Sequence, residues 1–152
     1  FYTAQSLGFR HSHLDTGGYS YAQKHDHKDV EKAIAFLIED EQGRVLLTSM
    51  VACLFARGVY TPDLLAGCLA AVGYTELAAE MDGVAQTIQQ QRWRLRLSTG
   101  FHPETIQIPK RFLEVETWRG PTDADYLHKL QEAYAKRIQA FALPVAQQRG
   151  NR

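Results

Sequence analysis

The chain has 152 residues, 45% apolar and 22% charged, which is enough for one globular domain with its own core. Its 17 lysines and arginines balance 17 aspartates and glutamates, so no whole-chain basic field exists to hold nucleic acid or an anionic membrane. No apolar run reaches membrane-spanning length, and no charged segment followed by an apolar one marks a secretion signal.

The first residue is Phe1 rather than methionine, and the chain is expected to be an internal piece of a longer protein. Cys53 and Cys68 are too few for a disulfide framework, and neither belongs to a C-x-x-C pair. A reducing compartment, the cytoplasm, is the expected location.

Residues 1–27 read as irregular. Gly8, Gly17 and Gly18 punctuate them, and His11, His13, His25 and His27 crowd them. Gly17-Gly18 signals a turn or a close approach of backbone. A helix is predicted to begin near residues 27–29, with Val30, Ala33, Ile34, Leu37 and Ile38 as its apolar stripe and Asp29 and Glu31 at the positive end of its dipole. Gly43 is expected to break it. Residues 44–57 are read as a second helix, apolar nearly all round and therefore buried, with Cys53 on it or at its end.

Thr61-Pro62-Asp63 is a start signal, a capping hydroxyl followed by proline at the first helical position. Gly73 stops that helix. Thr75 is expected to cap a longer one along which Leu77, Met81, Val84, Ile88 and Leu95 recur at helical spacing. Gly100, Pro103, Pro109, Gly120 and Pro121 make residues 99–122 an extended arm. Asp123 then caps a last helix with the stripe Tyr126, Leu127, Leu130, Tyr134 and Ile138. No period-two alternation, internal repeat or low-complexity block appears. The expected fold is all-α, with about five helices in one domain over residues 1–142 and a disordered tail over 143–152.

Several residues could carry chemistry. Cys53 lies in the apolar run 46–57, where a cysteine is either a small buried hydrophobe or a soft thiolate ligand. One cysteine cannot hold a four-iron cluster, which takes four ligands. Cys68 lies in an amphipathic stripe and reads as packing. His11 and His13, and His25 and His27, form two H-x-H pairs. They read as exposed loop histidines, as zinc ligands, or as a proton donor or acceptor with an ordinary pKa of about 6.5. Asp15 and Asp26 suit capping or orientation of a histidine. The basic run 92–96 encloses Trp93, a pattern compatible with nucleic acid but, at zero net charge, better read as one helix surface. Glycine-joined helices around Gly73-Tyr74-Thr75 are too common to mark a helix-turn-helix.

The order of features is more specific than any one of them. Arg10-His11-Ser12-His13-Leu14-Asp15-Thr16-Gly17-Gly18 precedes the apolar run ending near Cys53. Thr61-Pro62-Asp63-Leu64-Leu65, Val72-Gly73-Tyr74, Arg92-Trp93 and Ile108-Pro109-Lys110-Arg111-Phe112 come after it. Over nearly its whole length the chain resembles the C-terminal helical part of the tungsten-containing aldehyde ferredoxin oxidoreductases. The resemblance implies a tungsten (or molybdenum) bis-pterin centre and a 4Fe-4S cluster, with Cys53 matching the late cluster cysteine and His13 matching a histidine near the metal. The family's late cysteine is preceded by an Asp-x-x-Gly-type pterin-contacting turn. This chain departs from that pattern with Thr48-Ser49-Met50-Val51, where Thr48 and Ser49 offer hydroxyls or backbone donors.

The implied reaction oxidises a small aldehyde to a carboxylic acid and passes electrons to a ferredoxin-like protein. The implied partner is the remainder of the same enzyme, without which the piece is inactive. Two readings from other classes stand beside it: a non-catalytic helical interaction domain, and a small zinc protein built on the histidine loop.

Overall fold

A computed structural model describes residues 2–8, 16–25, 28–117 and 120–142. His11, His13, Asp15, Asp26, His27 and the tail expected over 143–152 lie outside the described residues. The fold is all-α, as its helical periodicities require. The helices are α1 (Tyr2–Leu7), α2 (Gly18–Lys24), α3 (Val30–Ser49), α4 (Pro62–Ala71), α5 (Thr75–Ala79), α6 (Met81–Ser98), α7 (Lys110–Leu113) and α8 (Ala124–Ala142). Short 3₁₀ turns occupy Leu54–Ala56 and Pro103–Thr105. Strands β1 (Glu116–Thr117) and β2 (Gly120–Pro121) form a two-rung antiparallel ladder.

Three capping residues open their helices. Asp29 accepts the Lys32 N–H at 3.0 Å and opens α3. Thr61 accepts the Leu64 N–H at 3.3 Å ahead of Pro62 and opens α4. Asp123 accepts the Tyr126 N–H at 2.9 Å and opens α8.

Helix α3 is the axis of the molecule. Its middle meets the second half of α6 and its end meets the start of α6, so the two helices run antiparallel. Around its first half, Ala33, Ile34 and Leu37 pack with Leu7 of α1, Trp93 of α6, and Leu130, Tyr134 and Ile138 of α8. Around its second half, Leu46 and Leu47 pack with Leu65 and Leu69 of α4 and Met81 and Ala85 of α6.

A polar seam lies between these two cores. Glu41 accepts from Gln89 Nε2 and from Trp93 Nε1, both at 2.9 Å. Beside it, Asp40 takes the Arg44 guanidinium at 2.7 Å and the Gly17 N–H at 2.7 Å. A Cβ on Gly17 would stand 2.4 Å from Asp40 Oδ1, so the Gly-Gly signal marks a close approach.

Several expectations about the elements are corrected. Residues 1–27 contain α1 and α2. Gly43 does not break α3: its cost of about 1 kcal/mol in a helix is outweighed by burying Val45, Leu46 and Leu47, each worth roughly 2 kcal/mol. No single helix covers 44–57: α3 ends at Ser49, and residues 50–57 are half-buried or exposed. Thr75 is the first residue of α5, with Tyr74 as an N-cap that makes no side-chain bond.

The single helix expected after Thr75 changes direction at Glu80, so that α5 lies on α4 while α6 runs along α3. The buried stripe of α6 is Met81, Ala85, Gln89 and Trp93, and Leu95 is 65% exposed. The arm over 99–122 carries α7 and the small ladder. No helix among the described residues is long and apolar enough to cross a membrane.

Candidate functional site

At the end of α3 the chain makes a Schellman turn. The Ala52 N–H donates to the Leu47 carbonyl at 2.9 Å and the Val51 N–H donates to the Thr48 carbonyl at 3.1 Å. That motif needs a left-handed residue, and the position is held by Val51 at φ +55°. A β-branched residue is strained there. Val51 is also 93% exposed, so packing within the chain does not compensate.

Cys53 is next but one, in extended conformation (φ −68°, ψ 123°). Its carbonyl accepts the Ala56 N–H at 3.0 Å and starts the 3₁₀ turn. Ala52 and Leu54 on either side pack against the second core, while Cys53 itself is exposed. Phe55, two residues on, is 78% exposed.

These residues open a stretch rich in exposed apolar side chains. Of the ten exposed large hydrophobic residues among the described ones, eight lie between Val51 and Leu77: Val51, Phe55, Val59, Tyr60, Leu64, Val72, Tyr74 and Leu77. On α4, Leu64 and Cys68 lie four residues apart on one face, with Val72 capping the helix end, next to the buried Leu65 and Leu69. Cys68, expected to pack, is exposed instead, because its stripe lies one position round from the buried one. The segment 50–83 carries Arg57 against Asp63, Glu76, Glu80 and Asp82, so its charge is net acidic.

Thr48 and Ser49 sit exposed on the last turn of α3, five and four residues before Cys53. Their backbone N–H groups are inside the helix, which turns them toward carbonyls four residues back and removes them as donors to a ligand. The Thr48 hydroxyl donates to the Arg44 carbonyl, so only its oxygen lone pairs face outward. Thr48 and Ser49 thus lie on the last turn of α3, and Cys53 in the segment that follows it.

His13 lies outside the described residues, but the flanks of its segment do not. Arg96 donates to the Gly8 carbonyl, and the Gly17 N–H donates to Asp40. Both anchors belong to the polar seam. Asp40 precedes Ser49 by about 14 Å of helix at 1.5 Å per residue.

The seam is invisible to apolar periodicity. Gln89 is 1% exposed, and the Arg96 guanidinium stacks 3.8 Å from the Phe101 ring centroid and 5.4 Å from that of Trp93. Burial lowers the Arg96 pKa, partly offset by the carboxylate of Glu41. Burial raises the Tyr134 phenol well above its ordinary value, helped by Glu41 and Asp40. The one available signal is the run of i, i+4 positions Met81, Ala85, Gln89 and Trp93, in which a glutamine interrupts the apolar pattern.

The donor set limits what this surface can bind alone. Among the described residues no group of three or more His, Cys, Asp or Glu side chains converges as a metal site. One exposed thiol supplies a single ligand of the four a cubane cluster takes. The described residues therefore do not by themselves make a cluster site. Comparison of the chain with family models, curated proteins and solved structures finds no significant match.

Proposed function

We propose that the chain is the C-terminal helical portion of a tungsten- (or molybdenum-) pterin, iron–sulfur aldehyde oxidoreductase, and that Cys53 is its contribution to a 4Fe-4S cluster otherwise held by the remainder of the enzyme. The carrying observation is the exposed thiol of Cys53 set among solvent-facing apolar side chains at the end of α3. A ligand lent to a neighbouring domain has to stand on a surface, and apolar surface around it excludes water once covered. The left-handed turn at Val51 also supports the reading, since it falls where the resembled family carries glycine.

When bound, the metal–pterin centre and cluster supply the two-electron oxidation of the aldehyde by water and the single-electron steps to a ferredoxin-like acceptor. The roles left to this chain are modest. Cys53 offers its thiolate, Thr48 and Ser49 offer hydroxyl oxygens beside it, and His13 holds or donates a proton at the substrate carbonyl oxygen. Two unpaired exposed thiols suit a reducing compartment, and the cytoplasm is part of the proposal.

The rival reading, a helical interaction domain without cofactor, draws on the same apolar face. Metal analysis of the full-length protein separates the two. Stoichiometric tungsten or molybdenum together with iron is expected, and a metal-free full-length protein with an intact fold rejects the oxidoreductase. In the loaded enzyme, His13→Ala is expected to lower turnover at unchanged metal content; unchanged turnover removes His13 from the reaction.

A further inference from the structure

The last residue of α8 is held against α6, where Arg94 Nε donates to the Ala142 carbonyl at 2.6 Å. Helix α8 starts beside the start of α3, where the Lys28 ammonium bonds Asp123, and α3 runs antiparallel to α6. Helix α8 therefore travels toward the first residue of α6 and points that way where it ends. Pro144 follows two residues later. Proline brings no N–H and disfavours helical backbone at the residue before it, so the chain beyond Ala142 has to find contacts other than those of a longer α8.

A groove of about 610 Å³ lies along this path. Val84, Thr87 and Gln91 line it, and with Arg94 they recur at spacings of three and four, which places all of them on one face of α6. Ile88 adds to its apolar floor, and an added Cβ at Gly83 would meet nothing within 4 Å, so the groove is open there. At its far end Glu80 and Asp82 flank Met81, about 20 Å from Arg94 at 1.5 Å per residue. Both carboxylates are exposed, and neither forms an ion pair among the described residues. From Gly58 to Gln91 the chain holds the acids Asp63, Glu76, Glu80 and Asp82 and no lysine, arginine or histidine.

Residues 143–152 carry the complementary pattern. Leu143-Pro144-Val145-Ala146 is apolar, and the only charged side chains are the cations Arg149 and Arg152. Laid out as extended chain, Val145 falls about 10 Å beyond Ala142 and Arg149 about 23 Å beyond it. On α6, Ile88 and Met81 stand about 9 Å and about 20 Å before Arg94. An apolar residue thus meets the apolar floor, and a cation meets the paired carboxylates.

We propose that the segment after Ala142 is the occupant of this groove: it lies extended along α6, with Val145 against Val84 and Ile88 and with Arg149 between Glu80 and Asp82. The contact straps the end of α8 to the beginning of α6. It draws on neither Cys53 nor any cofactor.

The test puts the photo-crosslinker p-benzoylphenylalanine in place of Val145 in the full-length protein and maps the product by mass spectrometry. A cross-link within the same chain, to residues 84–91, is expected. Hydrogen exchange of the amides over 145–149 is the second measurement. It is expected to quicken about tenfold in Arg149→Gln and in the double variant Glu80→Gln, Asp82→Asn, because each removes the paired charges that hold the segment down. Unchanged exchange in α3 and α8 verifies the fold of each variant. A cross-link to a second copy or elsewhere in the chain, no cross-link at all, or exchange over 145–149 that neither variant alters, overturns the proposal.

Discussion

At Val51 the backbone adopts φ +55° while the side chain projects into solvent at 93% exposure. Glycine relieves such a position at no steric cost. Val51→Gly is therefore expected to stabilise the chain by about 1 kcal/mol in urea unfolding, the gain from relieved strain exceeding the added entropy of the unfolded glycine. A loss of stability would mean that the valine packs inside the chain. On the proposed function the same substitution weakens the assembled enzyme, because an apolar contact at the covered face disappears. Nothing in the sequence signals this strain, since a valine beside a cysteine in an apolar run looks like core. Exposure, which sequence patterns do not report directly, reverses that expectation for Val51, Phe55 and Cys68 together.

Among the elements, those with both a cap and a stripe are legible in the sequence: α3 from Asp29, α4 from Thr61-Pro62 and α8 from Asp123 all start where their signals stand. Helix ends and joins are less so. Gly43 looks like a divider of what is one helix, because a local breaker carries no information about the burial beyond it. Gly43 is exposed, and an added Cβ would meet nothing within 4 Å. Gly43→Ala should accordingly raise stability by about 0.5–1 kcal/mol. A neutral or destabilising result in thermal or urea unfolding would contradict a continuous α3.

The cap of α8 also carries a pH dependence. The Lys28 ammonium, then the Tyr126 N–H, hold the Asp123 carboxyl below its ordinary pKa. A carboxyl with a lowered folded-state pKa stabilises the fold above its unfolded value of about 3.9, and that contribution fades as pH falls through the folded-state pKa. Asp123→Asn should thus be less stable than wild type at pH 7, with the difference shrinking by pH 3. A difference independent of pH would show that the ion pair contributes nothing to the cap.

For the molecule as a whole, the all-α class is legible because a periodicity of 3.6 is written into every long segment. Its division into two cores is not. The seam of Glu41, Gln89, Trp93 and Arg96 that parts them is polar, and each member alone reads as helix surface. The seam also takes a hydrogen bond from Gly17 and gives one to Gly8, two glycines far apart from it in sequence. Of the site itself, the sequence carries the order of motifs around Cys53. The exposure of that thiol arises only from the fold, in which α3 ends at Ser49 and α4 packs Leu65 and Leu69 with Leu46 and Leu47.

The most direct measurement is iron content and visible absorption of the full-length protein carrying Cys53→Ala. Fewer than four irons per chain and a weakened or altered cluster band are expected, with the helical fold retained. Full iron occupancy and an unchanged spectrum would contradict the assignment of Cys53 to the cluster.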